Sequence, residues 1–276
     1  MNHPKYPPLI SIDGTGLPHC WQQLVKKCMN EGMEKKRFYG KPVNTYDIVS
    51  MTEIRQPLLE PMLHPSFPTK ELHCIEYEKQ WEREYDWRKQ GFEYNYTDRL
   101  TNYPSHAIGD SKFKDYYHKS GEEYFIDQLS SIADKITDRI EKGGECLVSN
   151  RDEAITWIPD RDLFVSEDQP CLQRLQVFVY EYPRAIYHGR DSDGDIIEER
   201  IGKAEFHCMW RSRDLFAAWN SNMIGLIKMM NREIFAPNNL ELVRVVDFCN
   251  SLHIYESDWE QAGKIKMLPT NPQYMR

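Results

Sequence analysis

Between residues 204 and 230 the chain changes character twice, and a fold must accommodate that order. Ala204 to Trp210 is a strand-like run. Directly after it come Arg211, Ser212, Arg213, Asp214, Asn220 and Asn222, a dense set of hydrogen-bonding side chains. Met223, Ile224, Leu226, Ile227, Met229 and Met230 then supply the apolar face of an amphipathic helix. The plain reading is a capped helix start, with Ser212 or Asp214 accepting from free amides. A functional reading stands beside it. Arg211 and Ser212 can hold a phosphate by charge and hydroxyl donation, and Asn222 offers a donor and an acceptor to a planar amide-like edge. These residues alone leave both readings open.

The rest of the chain supplies elements to pack around that stretch. Ile10 and Ile12 suggest a short strand, and Asp13 to Gly16 a turn; it lacks the Lys-Ser/Thr of a phosphate loop. The spacing of Trp21, Leu24, Val25, Cys28, Met29 and Met33 predicts a helix over 17–36, followed by the basic run Lys35, Lys36 and Arg37. Residues 46–53 alternate like a strand, and the prolines of 57–68 require a loop. A charged helix is expected over 69–90, with Trp81 and Trp87. The segment 91–103 is rich in tyrosine, for core packing or for lining a site. Phe125, Leu129, Ile132, Ile136 and Ile140 predict a helix over 120–142, stopped by Gly143 and Gly144. Strands are expected over 146–148, 153–158, 172–187, 196–210, 240–248 and 251–255, and a helix over 223–235. The acidic run 191–195 lacks the Gly and Glu positions of a calcium loop and reads as a hairpin turn. The tail 268–276 contains prolines and reads as mobile.

Charge and cysteine usage narrow the function classes. The chain has 276 residues with 35 Lys and Arg against 43 Asp and Glu, a formal charge of −8. That argues against a general nucleic-acid surface but permits a local basic pocket for a small anion. The seven cysteines form no C-x-x-C pair, so neither a zinc site nor a disulfide framework is indicated, and no metal is expected. A reduced, cytoplasmic setting is the expectation. No apolar run approaches the ~20 residues that span a bilayer, and no signal-peptide core is present, so no membrane partner is expected. A thiol such as Cys171, after Pro170, is most often a buried small hydrophobe. Cations nearby would instead lower its pKa and make it nucleophilic.

Four blocks in order carry a resemblance. Pro170-Cys171, then Arg211-Ser212-x-Asp214-x-Phe216, then Asn222, then His253-x-Tyr255 resemble the thymidylate synthase family, with the spacing from Arg211 to Asn222 matched without a gap. Asn150-Arg151 with Ala154 to Trp157 resembles the family's Arg-Arg segment, which reaches into the neighbouring subunit. Leu24 to Gly32 resembles its first helix. The match is good over 145–256 and loose over 17–40. Leu172 stands where the family has His, Ala218 where it has Gly, Asn220 where it has Pro, and Trp210 where many members have Gln. These departures resemble the archaeal, methanogen-type branch, which also includes nucleotide hydroxymethylases.

The resemblance implies an α+β fold over 1–276 as one domain, with a large mixed β-sheet flanked by helices and dimerising through its sheet face. It implies that Cys171 adds to C6 of the uracil ring of dUMP. Arg37, Arg211, Ser212 and, from the partner subunit of a homodimer, Arg151 would hold the 5′-phosphate. Asn222 would pair with O4 and N3–H of the ring, and His253 and Tyr255 with the sugar 3′-hydroxyl. Asp214 would order the site. Glu60 is the candidate acid/base carboxylate, because it precedes the Trp81 and Trp87 segment as the family's Glu precedes its tryptophan. Tyr96 would assist proton removal from C5. The one-carbon donor would be 5,10-methylene-tetrahydrofolate or a 5,10-methylene-tetrahydromethanopterin-type carrier, a reduced pterin over which the tail would close. The product would be dTMP. Two other readings remain: a dUMP hydroxymethylase, with water in place of hydride, and a catalytically silent nucleotide-binding regulatory relative.

Overall fold

The computed structural model describes residues 5–38, 41–69, 71–91, 93–105, 117–120, 123–143, 149–164, 169–190 and 196–269. Its framework is a mixed sheet with the strand order β1-β3-β11-β9-β8-β7. These are β1 (Leu9–Gly14), β3 (Pro42–Ile54), β11 (Leu240–Tyr255), β9 (Ile196–Trp210), β8 (Leu172–Arg190) and β7 (Glu153–Ile155). Two short strands lie off this path: β2 (Met33–Phe38) pairs with β3, and β10 (Arg213–Asp214) pairs with β11. β1 with β3, β9 with β11 and β10 with β11 run parallel, and the other pairs antiparallel. A separate three-stranded sheet holds β4 (Tyr103–Ser105), β5 (Tyr117–Ser120) and β6 (Glu123–Ile126) in the order β4-β6-β5. The helices are α1 (Leu17–Glu31), α2 (Glu71–Lys79), α3 (Tyr96–Thr101), α4 (Gln128–Glu141), α5 (Pro159–Asp162), α6 (Trp219–Met230) and α7 (Trp259–Ala262). The α+β expectation, with a large mixed sheet flanked by helices, therefore holds.

Alternation along the strands separates two faces. Val177, Val179, Ala204, Phe206, Cys208 and Val245 are buried, whereas Leu9, Met51 and Tyr180, on the other face, are exposed. α6 runs through the centre of the core with Met223, Leu226, Ile227 and Met230 enclosed, and α1 adds Trp21, Leu24 and Val25. Among the described residues no helix is long and apolar enough to cross a membrane.

Several boundaries differ from the periodicity, each for a local reason. α1 ends at Glu31 because Gly32 turns extended, and Lys35, Lys36 and Arg37 lie on β2 rather than in the helix. The expected helix over 69–90 stops at Lys79. There the carbonyl of Gln80 accepts from Asn95 at 2.7 Å and that of Trp81 from Arg232 at 2.8 Å, which replaces the helical ladder. Only a short 3-10 turn, Trp87–Gln90, follows, closed by Gly91 at φ 74°. The expected helix over 120–142 begins at Gln128, because Asp127 accepts from the Ser130 amide at 2.9 Å as N-cap while Phe125 pairs with Pro104 in β6. α6 begins at Trp219 and runs into a π-turn, Asn231–Phe235. The two expected strands after 240 are one, with an irregularity between Cys249 and Leu252. The expected strand over 146–148, the turn over 191–195 and tail residues 270–276 lie outside the described residues.

Gly225 on α6 admits Trp81, since a Cβ there would stand 2.2 Å from the indole Cδ1 and Nε1. Replacing Gly225 by Ala should destabilise the fold by about 1–3 kcal/mol, the usual cost of overpacking. A lowered urea midpoint with an unchanged slope is the expected readout.

Candidate active site

The polar stretch after β9 is set in place by β11. β9 pairs with β11 as far as Trp210 and Cys249; the chain then leaves the sheet at Arg211 and Ser212 and rejoins β11 as β10, with Arg213 opposite Leu252 and Asp214 opposite His253. The Arg211 amide donates to the Cys171 carbonyl at 2.8 Å and the Leu215 amide to the His253 carbonyl at 2.8 Å. One short connection is thereby tied to both the start of β8 and the far end of β11.

Those ties enclose a cavity of about 340 Å³ lined by Tyr77, Trp81, Tyr94, Tyr96, Cys171 and Asp214, with Asn222 and Arg213 also contributing. Cys171 differs from the other described cysteines. Cys20, Cys28, Cys74, Cys208 and Cys249 are buried, and Cys171 alone is half-buried. Burial pushes the thiol of Cys249 up to about 12 and also raises those of Cys20, Cys28 and Cys208. Buried thiols of that kind are inert, so accessible sulfur chemistry in the described chain falls to Cys171.

Asn222 stands one turn into α6, nearly buried, and its Nδ2 donates to Tyr77 Oη at 2.5 Å. Tyr77 is raised out of the phenol range, chiefly by burial. Asp214 Oδ1 accepts from the amides of Phe216 at 2.9 Å and Ala217 at 3.0 Å. It thus takes the local capping role as well as facing the cavity. Burial pushes the Asp214 carboxyl up to about 6, against the two amides that favour its charged form. It is the one carboxylate lining this cavity among the described residues. Arg213 is enclosed, its guanidinium 4.2 Å from the centre of the Trp210 ring and paired with Asp247. Among the described residues no group of three His, Cys, Asp or Glu side chains is arranged to hold a metal ion.

The remaining residues singled out in the sequence occupy two further places. Arg211 donates through Nε to the Pro170 carbonyl at 3.1 Å and through Nη2 to the Gln169 carbonyl at 2.8 Å, so it also shapes the turn that presents Cys171. The Ser212 hydroxyl has no protein partner among the described residues. Arg37 joins a second cluster, reaching Asp47, Ser251 Oγ at 2.5 Å and Thr45 Oγ1 at 3.2 Å. His253 lies alongside, buried, with Nδ1 3.2 Å from the Ser251 carbonyl, Nε2 without a partner among the described residues, and its ring 5.0 Å from that of Tyr255. Burial first, then the Arg37 charge, lowers His253 to about 4, so it is neutral at physiological pH. Arg151 is exposed and Glu60 lies on an exposed loop, its carboxylate accepting from the Met62 amide at 3.0 Å; neither lines the cavity. Arg213, from the polar run after β9, does line it, as do Tyr77 and Tyr94, which the sequence does not mark as site residues. For Tyr94 the tyrosine-rich 91–103 segment was a signal; Tyr77, in a run of charge, gave none.

The arrangement presents a thiol, a carboxyl group and a side-chain amide to one cavity with aromatic walls. Comparison with known proteins agrees in kind. No family profile matches the chain. It is 25% identical over 252 residues to a Methanopyrus kandleri protein named "Putative thymidylate synthase", covering 91% of this chain and 95% of that protein. A Methanothermobacter thermautotrophicus protein of the same name is 22% identical over 267 residues, covering 92% and 97%. One from Methanocaldococcus jannaschii is 30% identical over 145 residues, covering 51% and 46%. The chain is thus similar along most of its length, at low identity, to the first two of these proteins, each named a putative thymidylate synthase.

Two outcomes follow from the burial pattern. Iodoacetamide under native conditions should alkylate Cys171 ahead of the other five described cysteines, as read by peptide mass spectrometry; faster labelling of any of those five would contradict the assignment. Asp214 has its folded pKa above its unfolded value, so its ionised form costs stability above about pH 6 and the cost vanishes below about pH 4. Asp214→Asn should therefore stabilise the protein at pH 7–8, by no more than about 3 kcal/mol. That gain should disappear in denaturation curves at pH 4.

Proposed function

We propose that the protein is a thymidylate synthase that converts dUMP and a 5,10-methylene-tetrahydropterin to dTMP and the dihydropterin. The observation that carries this reading is the placement of Cys171, the one accessible described thiol, in a shared cavity with Asn222 and Asp214. Cys171 would add through sulfur to C6 of the uracil ring, which turns C5 into a nucleophile. Asn222 Oδ1 would accept from N3–H while its amide N–H donates to O4. Cytosine carries the opposite pattern at both positions, so it would meet a donor with a donor. Arg211 and Ser212 would take the phosphate, joined by Arg37 and by Arg151 of a second subunit. His253 and Tyr255 would take the sugar.

The carrier, tetrahydrofolate or methanopterin type, supplies the one-carbon unit and the hydride. The aromatic walls and Asp214 suit a flat ring bearing N–H donors. Trp81, Tyr77, Tyr94 and Tyr96 also favour exclusion of water, which supports the methyl product over the hydroxymethyl one. Asp214 takes the acid/base role in this reading in place of Glu60, since it is the carboxyl that faces the cavity and its pKa of about 6 suits both protonation states near neutrality. A homodimer through a sheet face fits the exposure of Leu9, Met51 and Tyr180.

Incubation with 5-fluoro-dUMP and a methylene-pterin should leave a covalent adduct on Cys171, seen as a mass shift that Cys171→Ala abolishes. No adduct with either carrier type would overturn the proposal. Asn222→Asp should shift preference from dUMP toward dCMP by at least about tenfold in kcat/KM, from the reversal of one donor–acceptor pair. An unchanged preference would refute the role given to Asn222.

A further inference from the structure

Arg151 is followed directly by two acidic residues, Asp152 and Glu153, and pairs with neither. Asp152 turns into the core, where Arg139 of α4 donates to both of its oxygens, through Nη1 at 3.4 Å and more closely through Nη2. Glu153 lies 3.5 Å from Arg174 Nε on β8. The two pairs differ in weight. The Asp152 and Arg139 side chains are 3% and 15% exposed, those of Glu153 and Arg174 37% and 44%. Water screens the open pair, which contributes little, whereas loss of one partner from the enclosed pair leaves the other charge uncompensated. Arg151 itself is exposed, and its guanidinium has no partner among the described residues.

The backbone around Arg151 is fixed as well. The Asn150 carbonyl accepts from Gln176 Nε2 at 2.9 Å and the Asp152 carbonyl from the Val177 amide at 2.8 Å, and β7 pairs with β8 from Glu153 onward. Burial alternates through this segment: Asp152 and Ala154 are buried, while Arg151, Glu153 and Ile155 are exposed. Asn150 stands beside Arg151 where the resembled family has a second arginine, so no adjacent cation replaces Arg151 if its charge is lost.

We infer that Arg139 is a positioning residue for phosphate binding: it holds the Asp152 carboxylate in the core and so keeps it from neutralising Arg151. A carboxylate on the next residue competes for a guanidinium as an intramolecular partner, at high effective concentration. With Asp152 bound to Arg139, Arg151 keeps its full charge for the phosphate of a nucleotide held by a second copy of the chain. The inference rests on the dUMP reading and on Arg151 acting across a homodimer, as proposed above.

Arg139→Gln should raise the KM for dUMP about tenfold, the loss of one charge-assisted hydrogen bond, with kcat held within about twofold. Binding of deoxyuridine, which lacks the phosphate, should not change. Arg139→Lys should stay near the wild-type KM. Arg139→Gln combined with Asp152→Asn removes the competing carboxylate too, so KM should return close to wild type although the ion pair is gone. That double variant also leaves no unpaired buried carboxylate to weaken folding. Mixing Arg139→Gln subunits with an excess of Cys171→Ala subunits gives dimers whose one complete site takes its cysteine from the first and Arg151 from the second. Those dimers should show the wild-type KM. An unchanged KM in Arg139→Gln, or a raised KM that persists in the double variant or in the mixed dimers, would overturn the inference and leave the substrate reading intact. A normal KM in Arg151→Gln would remove the phosphate role of Arg151, and this inference with it. Absence of dUMP turnover in the wild-type protein would defeat the substrate reading itself.

Discussion

The buried pair of Arg213 and Asp247 holds the site to the sheet. Both side chains are almost wholly enclosed, Asp247 in the middle of β11 and Arg213 on β10. Asp247 also accepts from Trp219 Nε1 at 2.9 Å, at the first turn of α6, and from Cys208 Sγ at 3.3 Å on β9. The guanidinium lies between the rings of Trp210 and Trp219, 4.2 and 5.5 Å from their centres. One carboxylate therefore ties two strands, a strand fragment and a helix start. Charges this deep hold only when paired, and loss of one partner would leave the other uncompensated at a cost of about 3–5 kcal/mol. The connection from Arg211 to Asn222 is fixed because its centre is anchored there.

Two electrostatic regimes follow from that anchor. At the Cys171 end, burial dominates: it raises Asp214, Tyr77 and Tyr96. At the His253 end, hydrogen bonds and charge pairing join burial: Arg37 reaches Asp47, Thr45 and Ser251, and the Asp47 carboxyl is held below its usual range by Thr45 and Arg37 despite its burial. A ligand with a flat polar ring at one end and an anion or hydroxyls at the other would suit this division, as a nucleotide would in the proposed reading.

How much of this was legible beforehand varied by element. The alternation of 172–187 and 196–210 gave two central strands, and the apolar face of α6 was visible from Met223 onward. Helices are shorter than their periodicity where side chains terminate the ladder from afar: Asn95 and Arg232 end α2, and no local pattern encodes that. The polar residues at 211–222 read first as a helix cap, and Asp214 does cap the amides of Phe216 and Ala217 while also facing the cavity. The motif spacing brought out Cys171, Asp214 and Asn222, which the structure gathers into one cavity. Glu60 precedes a tryptophan segment in the sequence, but its loop leaves it outside the lining. Tyr77 and Tyr94 depend on side chains meeting across the fold, from segments without a distinctive pattern.

The central claim is that this cavity builds a methyl group on C5 of dUMP. Chromatography with mass spectrometry of the nucleotide formed from dUMP, with methylene-tetrahydrofolate and methylene-tetrahydromethanopterin in parallel, tests it most directly. The account predicts dTMP, in step with oxidation of one carrier to its dihydro form. Formation of 5-hydroxymethyl-dUMP instead, or unchanged dUMP with both carriers, would contradict it.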